Sequence, residues 1–191
     1  MSFFILARQP DAAVARRAFL GRSGVMLSGA AVALLAGRDA LAKAEPSTAS
    51  DISVLNTALG AELEAIAAYQ LGAESGLLQK PVKDLVVQFQ GHHKAHADVL
   101  AKTIQKLGGK AVAAKSKYTF PVEKLKSQAD VLRFAAGLEQ GAVSAYLGAV
   151  PLFGNRDLSK AAASILGDEA MHWAVLRQAL GEAPVPSAFV S

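Results

Sequence analysis

Two spacings in this chain suit metal chemistry. His93 and His96 stand three residues apart, as do Glu169 and His172. Glu62 and Glu139 each precede a tyrosine, Tyr69 and Tyr146, by seven residues. On a helix, side chains at i and i+3 lie on one face, so each pair can grip one ion. Carboxylate oxygen combined with imidazole nitrogen suits iron, manganese, zinc or copper. Each signal has an ordinary explanation when taken alone. A single Glu-x-x-His occurs by chance in many helices, and His92-His93-x-x-His96 also reads as a solvent-facing patch. Tyr69 and Tyr146 read as core residues that hydrogen-bond to such a site rather than as redox groups.

The elements around these residues strengthen the case. The spacing predicts four helices, about Asp51 (as N-cap) to Ser75, Pro81 to Gly108-Gly109, Asp130 to Ala149 and Asp157 to Leu180. Residues 110–127 show no sustained period and read as a long connection, whereas Gly76 and Pro151 to Arg156 mark short ones. Short, long, short connections describe an all-α antiparallel four-helix bundle with a long crossover between helices 2 and 3. Few segments alternate β-branched residues, which argues against a sheet.

Alternating steps of three and four trace the face each helix should bury. Helix 1 gives Leu55, Leu59, Glu62, Ile66, Tyr69 and Ala73; helix 2 gives Val82, Val86, Phe89, His93, His96 and Leu100. Helix 3 gives Leu132, Ala135, Glu139, Ala142, Tyr146 and Ala149; helix 4 gives Leu158, Ala162, Ile165, Glu169, His172 and Leu176. Every stripe is apolar at its ends and carries Glu or His in its middle. Three buried carboxylates are costly, and no Lys or Arg shares these stripes, which leaves protonation or a bound cation. Glu64 lies about 200° round from Glu62 and reads as solvated. The Glu-to-Tyr echo makes helices 1 and 3 equivalent halves of a pseudo-symmetric bundle.

The absence of cysteine excludes a disulfide framework, a thiolate metal site, an iron–sulfur cluster and a cysteine nucleophile. A net charge of +4 and a mean hydropathy of +0.28 suggest a basic, apolar protein. Much of both comes from residues 1–42. These read as a signal peptide, with Arg16-Arg17-Ala18-Phe19-Leu20 before the 14-residue apolar stretch Gly24 to Gly37 and Ala40-Leu41-Ala42 at the cut. The stretch is short of the roughly 20 residues a spanning helix needs. The arrangement resembles a twin-arginine signal, although Ala15 and Gly21 depart from its most typical flanks. An uncleaved N-terminal anchor is the alternative. Cutting after Ala42 leaves 149 residues with 15 basic and 14 acidic side chains, too near neutrality to suggest nucleic acid as a partner. The expected organisation is a twin-arginine signal peptide at 1–42, a linker at 43–50, the bundle at 51–181 and a tail at 182–191.

Over residues 51–189 the chain resembles the ferritin-like superfamily, in particular exported bacterial ferritin-like domain proteins of the desiccation-related type. The resemblance rests on Leu63-Glu64 to Tyr69, His96-Ala97-Asp98 leading to Leu107-Gly108-Gly109, and Tyr118-x-Phe120-Pro121. It continues through Leu138-Glu139 to Tyr146-Leu147-Gly148-Ala149, Glu169-x-x-His172 and Pro184-x-Pro186-x-x-Phe189. In di-iron members of the superfamily, helices 1 and 3 each give one Glu and helices 2 and 4 each give Glu-x-x-His. Carried over, Glu62 and Glu139 are the single carboxylates, Glu169 and His172 the helix-4 pair, and His96 the helix-2 histidine. His93 departs, standing where the helix-2 glutamate is expected; reading Gln90-x-x-His93 as the motif restores no carboxylate.

Neutral imidazole offers one lone pair, where the replaced carboxylate would bridge two metals. The ligand charge falls from −4 to −3, against +4 for two divalent ions. The resemblance therefore implies weaker or asymmetric dinuclear binding, a single-metal site or an altered metal preference, and the departure weighs against ferroxidase turnover. The expected function is an exported bundle binding one or two transition-metal ions, iron first and manganese or zinc next, through Glu62, His93, His96, Glu139, Glu169 and His172. Its expected partners are the twin-arginine export machinery and metal ions, its compartment the periplasm or outside, and its use oxidative or other stress protection. The alternative is a metal-free structural or stress-related bundle without catalytic activity. A membrane-bound scaffold held by an uncut leader is the third reading.

Overall fold

A computed structural model describes residues 47–190. Among them the chain forms four α-helices: α1 Thr48–Glu74, α2 Lys80–Lys106, α3 Gln128–Ala149 and α4 Arg156–Ala179. Single 3-10 turns at Val122–Lys124 and Val150–Leu152 complete the regular structure, and no strand is present among these residues. The all-α four-helix architecture matches the expectation. The signal-peptide reading at 1–42 and the first part of the 43–50 linker fall outside the described residues.

Side-chain caps set most of the helix starts. Ser47 and Ser50 form a reciprocal capping box, so α1 begins inside the segment expected to be linker. Asp51, expected as the N-cap, lies in the first turn and is buried. Its carboxylate accepts from the Gly154 amide at 2.8 Å and the Asn155 amide at 3.2 Å, which ties the start of α1 to the turn before α4. Amides entering a helix lack intrahelical acceptors, and a long-range carboxylate supplies one here. Ser127 caps α3 and Asn155 caps α4 through their own side chains. Pro81 sits in the first turn of α2, where its missing N–H costs nothing.

At the end of α2, Gly108 adopts φ +82 and donates to Gln105, while Gly109 donates to Ile104, closing a Schellman motif. A Cβ on Gly109 would lie 2.8 Å from the Ile52 side chain, so this turn also needs the close approach that only glycine allows. From there the crossover runs back along the bundle. It is pinned to α1 by Asn56, which donates to the Lys110 carbonyl at 3.1 Å and accepts from the Val112 amide at 2.8 Å. Phe120 docks edge-on against Phe134 of α3 at 5.8 Å.

The helices pack as two hairpins, α1 on α2 and α3 on α4, which meet mainly through α1 and α3. Apolar layers close both ends. Leu55, Leu59, Leu100, Ile104, Leu158 and Ile165 fill one; Val86, Phe89, Leu132 and Leu176 fill the other with Ala73. The polar residues of the four stripes lie between these layers. Glu64 corrects the sequence reading, because it is only 9% exposed and its Oε2 has no hydrogen-bond partner in the protein. It shares an i+4 ridge with the buried Ala68 and Gly72. Val131 of α3 stands 3.2 Å from where a Gly72 Cβ would be. α1 thus buries a second face against α3, which a single stripe does not capture.

Candidate metal centre

All six predicted ligand residues converge between the two apolar layers. α1 and α3 contribute Glu62 and Glu139, and their tyrosines cross over. The Tyr69 hydroxyl on α1 donates to Glu139 Oε1 on α3, and the Tyr146 hydroxyl on α3 donates to Glu62 Oε1 on α1 at 2.6 Å. The seven-residue echo in the sequence is therefore a reciprocal contact, each helix supplying the acceptor for the other's donor. Burial and the neighbouring carboxylate charge, Glu139 for Tyr69 and Glu62 for Tyr146, hold both phenols well above their ordinary range. They remain protonated donors.

α2 and α4 fill the other two sides. His93 lies between the paired carboxylates, with Nδ1 2.8 Å from Glu62 Oε2 and Nε2 3.2 Å from Glu139 Oε1. Glu169 reaches both remaining histidines, Oε1 being 3.1 Å from His96 Nδ1 and Oε2 3.1 Å from His172 Nδ1. Glu139 and Glu169 are both 0% exposed. Gln90, in the alternative motif, turns away and donates to the Ile66 carbonyl and the Gln70 side chain on α1.

The protonation balance is unusual. Burial pushes the His93 imidazole down, but hydrogen bonds to Glu139 and Glu62 and the nearby carboxylate charges outweigh it, and the group titrates at about 11. In the metal-free protein His93 is an imidazolium that donates from both ring nitrogens. The sequence left only protonation or a bound cation to balance the buried carboxylates; a histidine counter-ion is the third way. His96 and His172 rise to about 9 by the same competition between burial and carboxylate contacts. Burial also raises the carboxylates, yet contacts with the histidines leave Glu62 and Glu139 below the usual range. Glu169 goes the other way, to about 7, because burial is joined by the charge of Glu139.

Two sets of four donors result, Glu62/His93/His96/Glu169 and His93/Glu139/Glu169/His172, each with its donor atoms within 4.8 Å of one another. They share His93 and Glu169. The residues fit a transition metal on two counts. The donors are nitrogen and oxygen only, and Glu139 Oε2 is buried without a hydrogen-bond partner in the protein.

Sequence reasoning passed over Asp168. It stands four residues before His172, a helical spacing that could have revealed it, but it is next to Glu169 and reads as surface. Its Oδ2 lies 3.3 Å from both His96 Nε2 and His172 Nε2 and 3.1 Å from His92 Nδ1. His92, grouped with the other histidines in the sequence, is partly exposed at this edge and turns Nδ1 towards Asp168 and His172.

Four helices joined by one long crossover, with Glu and His residues meeting at mid-length, define the carboxylate-bundle class of protein. Within that class, residues 50–182 match the ferritin-like domain, and the chain belongs to that family. It is also similar to the crystal structure of a conserved hypothetical protein, rv2844, from Mycobacterium tuberculosis, at 26% identity and a TM-score of 0.64. The match covers 75% of this chain and 99% of that one. No curated protein matches the chain.

Proposed function

We propose that this chain is an exported ferritin-like protein that holds one or two transition-metal ions, iron first, at the bundle centre. Glu62, His93, His96, Glu139, Glu169 and His172 would hold the metal, with His93 and Glu169 common to both donor sets. The observation that carries this reading is the unpartnered buried oxygen of Glu139 among converging nitrogen and oxygen donors. A bound ion would supply Lewis acidity or, as iron or manganese, one-electron chemistry. Around it, Tyr69 and Tyr146 fix Glu139 and Glu62 by hydrogen bonds, and the apolar end layers exclude water. Export follows from the twin-arginine pattern and the small residues at Ala40-Leu41-Ala42, and a desiccation-related, stress-protective use from the sequence resemblance. No described helix is long and apolar enough to cross a membrane.

Metal analysis of protein purified from its native compartment tests the reading, with Glu169→Ala as the control. The expectation is metal in the wild type and its loss in the variant. Metal content near zero in the wild type, unchanged by the substitution, overturns it. N-terminal sequencing beginning at Lys43 tests export and excludes the uncut anchor. One specific observation favours a second reading. His93 contacts Glu62 and Glu139 together, and His96 and His172 offset the remaining carboxylate charge, which suits a structural bundle that stays metal-free.

A further inference from the structure

The edge of the bundle where α2 meets α4 carries donors that the central cluster does not use. His92 Nδ1 lies 2.9 Å from His172 Nε2 and 3.1 Å from Asp168 Oδ2, and His172 Nε2 lies 3.3 Å from the same oxygen. Two ring nitrogens and one carboxylate oxygen thus face a common point, a donor set suited to divalent zinc or cobalt. Two imidazole nitrogens this close are complementary only if one keeps a proton for the other; an ion between them satisfies both and the carboxylate together.

Exposure falls steadily along this line. The side chain of His92 is 39% exposed, Asp168 23% and His96 14%, whereas those of His172 and Glu169 are almost fully enclosed. His96 and His172 stand at the boundary. Each turns Nε2 outward to Asp168 and Nδ1 inward to Glu169. Phe89 stacks on the His172 ring at 4.1 Å and holds its plane, so the ring presents one nitrogen to each side.

We propose that His92, Asp168 and the outward nitrogen of His172 form a peripheral cation site that receives a divalent transition-metal ion before the buried cluster takes it. The proposal rests on the metal-binding reading above. Asp168 alone reaches both His96 and His172, and His92 brings a further donor to the outer side. A neutral imidazole has one lone pair, so His172 serves the outer position through Nε2 or the inner one through Nδ1, not both. Occupation is therefore sequential. Filling the centre removes a donor from the edge and so empties it.

Cobalt(II) binding to the full chain tests this. In a Glu62→Gln/Glu139→Gln variant, where the centre is disabled, one ion should bind at the edge. Adding His92→Ala should weaken that ion by about tenfold or more, the usual consequence of losing one supporting group at a metal site. In the otherwise wild-type protein, His92→Ala should leave the final stoichiometry unchanged and slow uptake by a similar factor. Asp168→Asn should weaken the edge ion in the centre-disabled protein as His92→Ala does. Equal cobalt affinity with and without His92 in the centre-disabled protein, or equal uptake rates in the intact one, overturns the proposal. Failure of the central reading shows itself differently, as a cobalt affinity in the otherwise wild-type protein that falls with His92→Ala as far as it does in the centre-disabled variant.

Discussion

α1 and α3 do the same work, whereas α2 and α4 do not. Each of the first pair gives one carboxylate and one tyrosine, and each tyrosine serves the other's carboxylate. The second pair would continue this two-fold relation if both gave Glu-x-x-His, but α2 gives His93 where α4 gives Glu169. One side chain therefore turns a symmetric carboxylate box into a lopsided one. The symmetric half supplies the frame. The asymmetric half decides whether the centre is balanced by an ion or by its own imidazolium.

Restoring the symmetry should have the largest effect. His93→Glu removes the cation between Glu62 and Glu139 and adds a fourth carboxylate to the centre, so without metal the bundle should lose about 3–5 kcal/mol, the cost of leaving buried charge unpaired. Divalent metal should restore it. Urea unfolding in chelator and in excess metal measures both, and a variant as stable as wild type in chelator would show that His93 is no counter-ion. Next in size is Glu169→Ala, which removes a donor from both sets. Metal affinity should fall by about 100-fold or more, beyond the usual effect of losing a supporting group, and equilibrium dialysis reads it directly.

The frame itself is tested by Tyr69→Phe and Tyr146→Phe. Each loses a hydrogen bond to a charged carboxylate, worth about 1.5–3 kcal/mol, and the two losses should agree. A clear difference between their unfolding midpoints would break the equivalence of α1 and α3.

The smallest effect is graded with pH. His96 and His172 titrate at about 9 when folded against an ordinary 6.5, so their contribution to stability is complete below about 6.5 and drains away as the pH rises through 9. Glu169, raised to about 7, drains in the same direction from about 4.5 upward. Glu62 and Glu139 act oppositely, losing their contribution as the pH falls below the ordinary 4.5. Metal-free protein should therefore melt at progressively lower temperature between about pH 6.5 and 9. Loaded protein should not, because a bound ion prefers unprotonated imidazoles. Parallel melting curves at pH 7 and 9 would remove the distinction.

The sequence reveals the frame more readily than the asymmetry. A carboxylate or imidazole in the middle of an apolar stripe is visible in a list of residues, because helical period alone carries it. Glu62, Glu139, Glu169 and His172 were all legible in this way. Contacts between helices were not. The crossed pairing of Tyr69 with Glu139 depends on the register of α1 against α3, and one helix's period says nothing of that. Glu64 was misplaced for the same reason, since its face is buried by a neighbour rather than by the central stripe. Asp51 reads locally as a cap, but its partners are more than 100 residues away. His93 was recognised as a departure, while its role as counter-ion needed both carboxylates in place.

The division into hairpins also bears on how the chain reaches this state. α1 and α2 carry Glu62, His93 and His96, and α3 and α4 carry Glu139, Glu169 and His172, so neither hairpin holds a complete donor set. Each hairpin closes over a short turn and forms through local contacts, which favours speed. Docking the two is another matter, for it strips water from three carboxylates together across a long loop. Assembling the chemistry is thus the step that carries the desolvation cost, and a proton or cation that neutralises those carboxylates lowers it.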